Sequence, residues 1–196
     1  MESTNEHTSE LRDEDLCALA CGGDRMAEEQ LVVRYQQLTR ACSRPYFLAG
    51  GDSEDLIQEA MFGLLKAIRE FDPGRSVSFH TFAEVCVRNR IRSAVTAAAR
   101  GKHTPLNHSV PYELAIQGNE DSPEELVINR EEGEERLEQV NQQLSPLERH
   151  ILSLYLQGLS YQDIGQQVHR PVKSVDNAIQ RIRRKVAKLY GGSSES

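Results

Sequence analysis

Tryptophan is absent from this 196-residue chain, and aromatic residues of all kinds make up only 6% of it. With so few rings, aromatic packing and any stacking on a ligand must be concentrated at a few points. Cysteine is also scarce: Cys17, Cys21, Cys42 and Cys86 are the four present. Cys17 and Cys21 stand one helical turn apart, as two metal ligands would, but no second pair and no close histidine completes a zinc set. Small apolar side chains on buried helix faces are the expectation, with no metal and no cofactor. No apolar run approaches membrane length, and the first residues carry no basic–hydrophobic signal pattern. A soluble cytoplasmic protein without disulfides is expected. Strand-like alternation is missing over any useful length. Nothing pairs a nucleophile with a base or cradles a phosphate in glycines, so an enzyme is not expected.

What the chain has is charge, and it is segregated. The net charge is −7, which by itself argues against a polyanionic partner. Residues 1–29 hold nine acids against Arg12 and Arg25, and residues 112–140 hold ten against Arg130 and Arg136. Residues 88–103, by contrast, contain Arg88, Arg90, Arg92, Arg100 and Lys102 with no acid, and residues 170–188 contain seven cations against Asp176 alone. Attraction to phosphates is therefore local to two stretches, while the acidic remainder weakens indiscriminate binding.

Nearly every segment reads as helix. Gly22-Gly23 ends a first short one. Leu31, Tyr35, Leu38 and Cys42 form an apolar stripe that Pro45 is expected to kink or end. After Gly50-Gly51, Ser53 can cap a helix whose Ile57, Ala60, Leu64 and Ile68 face one way. Phe71-Asp72-Pro73-Gly74 stops it. Thr81 with Glu84 can cap a long helix running to Arg100, with Gly101 behind it. Residues 103–121 read as loop, and Ser122-Pro123-Glu124-Glu125 restarts helix. Ser145-Pro146-Leu147-Glu148 repeats that device before Ile151, Leu154 and Tyr155, and Gly158 ends the element.

Ser160 to Val186 then reads as two short helices around a tight turn. Ser160 and Asp163 form a capping pair, and Ile164 and Val168 share a face. His169 occupies a turn position that calls for left-handed backbone, which histidine tolerates better than most residues. Val175, Ile179, Ile182 and Val186 make a continuous stripe. The opposite face carries Lys173, Ser174, Asp176, Asn177, Gln180, Arg181 and Arg184, groups that can meet base edges and phosphates. This is a helix-turn-helix, whose second helix lies in a DNA major groove. The rival is a basic amphipathic helix with a solvated face.

A second constellation spans Gly51 to Lys102. Asp52-Ser53-Glu54-Asp55-Leu56-Ile57-Gln58-Glu59-Ala60 opens a helix with exposed acids. Phe79-His80-Thr81-Phe82-Ala83 then leads into the arginines. Rings beside cations are what unpaired bases need, since bases stack while the backbone follows the charge. Phe79 and Phe82 stand three apart, however, a spacing that serves a core at least as well.

DLIQEAMFGLLKAIREFDP followed by SFHTFAEVCVRNRIRSAV resembles domain two of the sigma-70 family of bacterial RNA polymerase sigma factors. The C-terminal helix-turn-helix resembles domain four. Pro45-Tyr46-Phe47-Leu48-Ala49-Gly50, Gly101-Lys102-His103-Thr104-Pro105-Leu106-Asn107 and Val172-Lys173-Ser174-Val175-Asp176-Asn177-Ala178 bring it nearer the sigma-H type of stationary-phase and sporulation sigma factors.

The resemblance implies an all-α chain of two helical domains. Domain two would cover 12–107, an acidic, partly helical linker 108–142, domain four 143–190 and a disordered tail 191–196. It implies core RNA polymerase and promoter DNA as partners, and leaves an anti-sigma factor open. Asp55, Leu56, Gln58 and Glu59 match positions near the contact with the polymerase largest subunit. Phe79, Thr81, Phe82, Arg88, Asn89 and Arg92 make the minus-ten set, with Phe82 matching the aromatic that takes a flipped base and Asn89 and Arg92 the upstream readers. Lys173, Ser174, Asp176 and Asn177 match minus-thirty-five readers, with Gln180 beside them and Arg181, Arg183 and Arg184 as phosphate contacts. Two departures stand out. Val85 and Cys86 replace the adjacent tryptophans of members that open promoters readily, and domain three is absent or reduced to the stretch around 104–142. Weaker melting and stricter promoter demands follow.

The rival class is a free-standing transcription regulator, dimerising through its N-terminal helices on a palindromic site. It has no use for an aromatic–basic melting helix, which disfavours it.

Overall fold

The computed structural model describes residues 11–48, 53–74, 76–101 and 138–191. Among them every regular element is a helix. Four form a first unit: α1 (Asp13–Cys21), α2 (Arg25–Leu48), α3 (Ser53–Glu70) and α4 (Phe79–Gly101). Three form a second: α5 (Pro146–Leu156), α6 (Tyr161–Gln167) and α7 (Val172–Gly191). Residues 138–142 are also helical and lead into it. No described helix is long and apolar enough to cross a membrane. The restart expected at Ser122, the linker up to residue 137 and the tail beyond Gly191 lie outside the described residues.

The first unit follows its apolar periodicity. Leu31, Tyr35 and Cys42 of α2, Ala60, Leu64 and Ile68 of α3, and Phe79, Ala83, Val87 and Ile91 of α4 all point into one buried cluster. The four α4 positions recur every fourth residue, which keeps them on one face. Helices α3 and α4 approach backbone to backbone at Gly63. A Cβ there would lie 2.8 Å from Val87 Cα and 2.9 Å from the Cys86 carbonyl oxygen. Tyr35 and Phe71 both meet the Phe79 ring edge to face, at 5.0 and 5.3 Å between centroids. Such pairs add about 0.5–1.5 kcal/mol each beyond their burial.

The acids of α1 are structural ties. Asp13 accepts from the Tyr35 hydroxyl at 2.5 Å and from the Arg34 guanidinium. Glu14 accepts at 3.3 Å from the Phe79 amide, one of the orphan donors at the start of α4.

Three details differ from the sequence reading. Helix α2 continues past Pro45 to Leu48. Proline there removes one amide donor, and Cys42, Ser43 and Arg44 are buried just before it. The cap of α4 is Ser78, whose hydroxyl receives the Thr81 amide at 3.2 Å. Glu84, expected to complete a cap with Thr81, instead binds Arg88. Cys17 and Cys42 are buried as expected, but Cys21 is exposed, its thiol turned to the Ile68 carbonyl oxygen at 3.5 Å.

The second unit keeps both expected capping boxes, Ser145 with Glu148 and Ser160 with Asp163. Gly158 ends the α5 segment at φ +84°, and His169 takes φ 53° between α6 and α7. A side chain at Gly165 would sit 2.7 Å from the Arg170 carbonyl oxygen, so only glycine lets the turn close on α6. Ile164, Val175, Ile179, Ile182 and Val186 are buried together. Val140 and Leu144 join them, so the stretch read as linker contributes to this core before residue 143. The two cores are separate clusters; α2 meets the C-terminal end of α5 at the boundary.

Candidate nucleic-acid interface

Helix α7 buries its stripe and thereby turns a defined face to solvent. Lys173, Ser174, Asn177, Arg181 and Arg184 are exposed, while Asp176 and Gln180 are half-buried at its edges. At 100° per residue, Lys173, Asn177, Gln180 and Arg184 project opposite Val175 and Val186. This is the geometry a groove-reading helix needs. Lys173 and Asp176 pair at 3.3 Å. An Asp–Lys pair on the surface is weak and is readily exchanged for phosphate or base contacts.

Arg181 is not a loose phosphate contact. Its Nε donates to Glu148 at 3.2 Å, and Lys185 donates to the other oxygen of the same carboxylate at 2.8 Å. Glu148 is only 5% exposed. Burial alone would push this carboxyl up. Hydrogen bonds from Lys185, from the Ser145 amide and from Arg181 outweigh that and hold it down to about 2. The capping glutamate of α5 thus anchors the middle of α7. The sequence reading assigned Glu148 only to the cap, because nothing local signals a partner more than thirty residues away.

Helix α4 carries the second face. Thr81 and Asn89 are exposed, and Phe82, Arg88 and Arg92 half-buried. Phe82 packs on the outside of the core, its ring 5.8 Å from that of Phe71. Phe79 is different. It is fully buried between Tyr35 and Phe71 and cannot receive a base without unfolding, so it leaves the minus-ten set as a core residue. The cause is the Ser78 cap, which starts the helix at Phe79 and turns that position inward. Arg88 is held by Glu84 through two nitrogens at 2.9 and 2.8 Å. Val85 is exposed and Cys86 half-buried on the same helix.

Helix α3 presents Asp55 and Gln58 to solvent, with Glu59 half-buried. Leu56 is buried in the first core, so the polymerase-facing set loses it. Sequence reasoning missed Phe62 and Arg90. Phe62 is 55% exposed. Arg90 lies with its guanidinium 5.9 Å from the Phe62 ring and its Nε 2.5 Å from Glu59. The i, i+3 spacing of Glu59 and Phe62 was the available signal.

Residues 31–101 match the family model described as Sigma-70 region 2, and residues 134–186 match Sigma-70, region 4. The chain belongs to the sigma-70 family. It is 40% identical to the RNA polymerase sigma-H factor of Bacillus licheniformis over 94% of this chain and 89% of that one. It is equally identical to the sigma-H factor of Bacillus subtilis (strain 168), over 93% and 90%. Among solved structures, the RNA polymerase sigma-H factor from Fusobacterium nucleatum is 31% identical, covering 72% of this chain and 98% of that one with a TM-score of 0.34. The sigma-70 membership and the near-complete coverage shared with the two Bacillus sigma-H factors make the chain an alternative sigma factor that directs promoter-specific transcription. A regulator working without polymerase is not favoured.

Proposed function

We propose that this sigma factor divides its work among three helix faces. Asp55, Gln58 and Glu59 of α3, joined by the exposed Phe62, meet core RNA polymerase. Thr81, Phe82, Arg88, Asn89 and Arg92 of α4 bind the minus-ten element, with Phe82 as the platform for an unpaired base. Lys173, Ser174, Asp176, Asn177, Gln180 and Arg184 of α7 read and hold the minus-thirty-five element, while Arg181 chiefly fixes the helix.

The observation that carries this reading is that each of two separately cored units bears one helix with cations outside its core, in the order of the two sigma-70 regions. With net charge −7, neither face gives the free chain strong general affinity for DNA. The test is transcription in vitro on a promoter library with core polymerase, with and without the chain, beside a gel-shift of the chain alone. Promoter-selective transcripts only when both proteins are present are expected. Tight, specific shifts by the chain alone would overturn it.

A further inference from the structure

Two kinds of ion pair hold cations on α7, and they differ in what breaking them costs. Lys173 pairs with Asp176 at 3.3 Å, with side chains 80% and 34% exposed. Water or a phosphate replaces either partner there with little loss. Arg181 and Lys185 instead share Glu148, at 3.2 and 2.8 Å, and that carboxylate is 7% exposed. If both cations left for DNA phosphates, a charged carboxylate would stay buried with the Ser145 amide, 3.0 Å away, as its remaining donor. Stripping a buried charge of its partners is far more costly than parting a surface pair.

The geometry restrains both side chains. Lys185 Nζ is held twice, by Glu148 and by the Gln143 carbonyl oxygen at 3.1 Å. At 100° per residue, Arg181 stands about 60° and Lys185 about 100° round α7 from Arg184, on the side that faces the start of α5. The two side chains remain 51% and 38% exposed. Packing therefore does not shut them away; the carboxylate holds them. Burial opposes the charge on Glu148, but hydrogen bonds from Lys185, the Ser145 amide and Arg181 keep its pKa at about 2, so it is ionised throughout the neutral range.

We propose that Glu148 withholds Arg181 and Lys185 from the DNA backbone, and so sets how much of the affinity of α7 is independent of sequence. This rests on the reading of α7 as the minus-thirty-five helix. Sequence-independent attraction comes from phosphate contacts, and their number sets the salt slope. With two cations held back, α7 relies on the face around Lys173, Asn177 and Arg184, where the base readers stand. Glu148 acts through the two cations and is a positioning residue.

The test measures binding of the full chain with core polymerase to a promoter whose minus-thirty-five element is scrambled, over a series of salt concentrations. Glu148→Gln releases the cations and keeps the capping geometry. Glu138→Gln is the reference, since it changes the net charge equally from an exposed position of the same unit. Each cation that reaches a phosphate steepens the slope by about 0.9, so a fourfold drop in salt should strengthen Glu148→Gln by about 3- to 12-fold more than Glu138→Gln. Adding Arg181→Gln and Lys185→Gln to Glu148→Gln should remove that gain. A purely structural Glu148 would, when replaced, loosen α7 and weaken binding, so the sign separates the two roles. Equal slopes for Glu148→Gln and Glu138→Gln overturn the proposal, as does a gain that survives the added substitutions.

Lys185→Gln in the otherwise native chain decides the matter if thermal unfolding shows that Glu148→Gln does not fold. It should leave the slope unchanged, whereas Arg184→Ala on the same template lowers it by about one. A drop of about one in Lys185→Gln overturns the withholding. An unchanged slope in Arg184→Ala would instead refute the DNA-facing role of α7, while the comparison of Glu148→Gln with Glu138→Gln would still judge Glu148.

Discussion

Glu148 and Lys185 meet at 2.8 Å, joining the first turn of α5 to the latter half of α7. The carboxylate is 7% exposed at its side chain, so this pair is not the screened surface kind. Glu148→Gln keeps the volume and the capping geometry but removes the charge. A loss of about 2 kcal/mol in stability at neutral pH is expected. The folded carboxyl is held at about 2 against an ordinary 4.5, so its contribution is present above pH 4.5 and fades as pH falls toward 2. Urea unfolding of both proteins across that window should show their difference closing. A difference independent of pH would mean the charge is not what matters.

Asn177 and Arg184 share the outer face of α7 but should behave differently. Asn177→Ala should shift the preferred minus-thirty-five bases, at a cost of about 1–3 kcal/mol for a lost bidentate contact. Arg184→Ala should weaken all promoters alike and reduce the salt slope by about one. Selection from a randomised promoter library at two salt concentrations separates the two. Uniform loss of output from Asn177→Ala would remove that residue from base readout.

Phe79 and Phe82 form another contrasting pair. Phe79→Ala empties the centre of the first core and should cost about 3–5 kcal/mol of stability. Phe82→Ala should leave closed complexes largely intact and slow strand opening, with about 1–3 kcal/mol lost from base stacking. Thermal unfolding reads the first and permanganate footprinting the second. Normal opening in Phe82→Ala would make Phe82 a second core residue.

Gly63→Ala tests the backbone contact of α3 with α4. The added methyl meets the Val87 Cα and the Cys86 carbonyl oxygen, neither of which can rotate away. Overpacking of about 1–3 kcal/mol should outweigh the helix-propensity gain of about 1 kcal/mol. A rise in melting temperature would contradict that approach.

Features governed by short-range rules were legible from residues alone. The Ser145 and Ser160 capping boxes, the left-handed His169 and the α7 stripe each depend on neighbours within four positions. The helix-turn-helix followed directly. Features set by distant partners were not legible. Phe79 is buried because Tyr35 and Phe71, on other elements, close around it. Arg181 is tethered because α5 places Glu148 beneath it. Pro45 stayed within α2 because the residues before it are packed. Ser78 and Thr81 stand three residues apart and either hydroxyl suits a cap of α4; their shared contact settles on Ser78 only once the helix is folded.

Val85 is 39% exposed on the helix expected to meet melted DNA, and the chain contains no tryptophan. The native protein is therefore dark to indole fluorescence. A single indole introduced as Val85→Trp would emit alone from that surface, against a background free of the chain's own signal. On the helix proposed to bind the minus-ten element, that lone indole would report a promoter opening in real time.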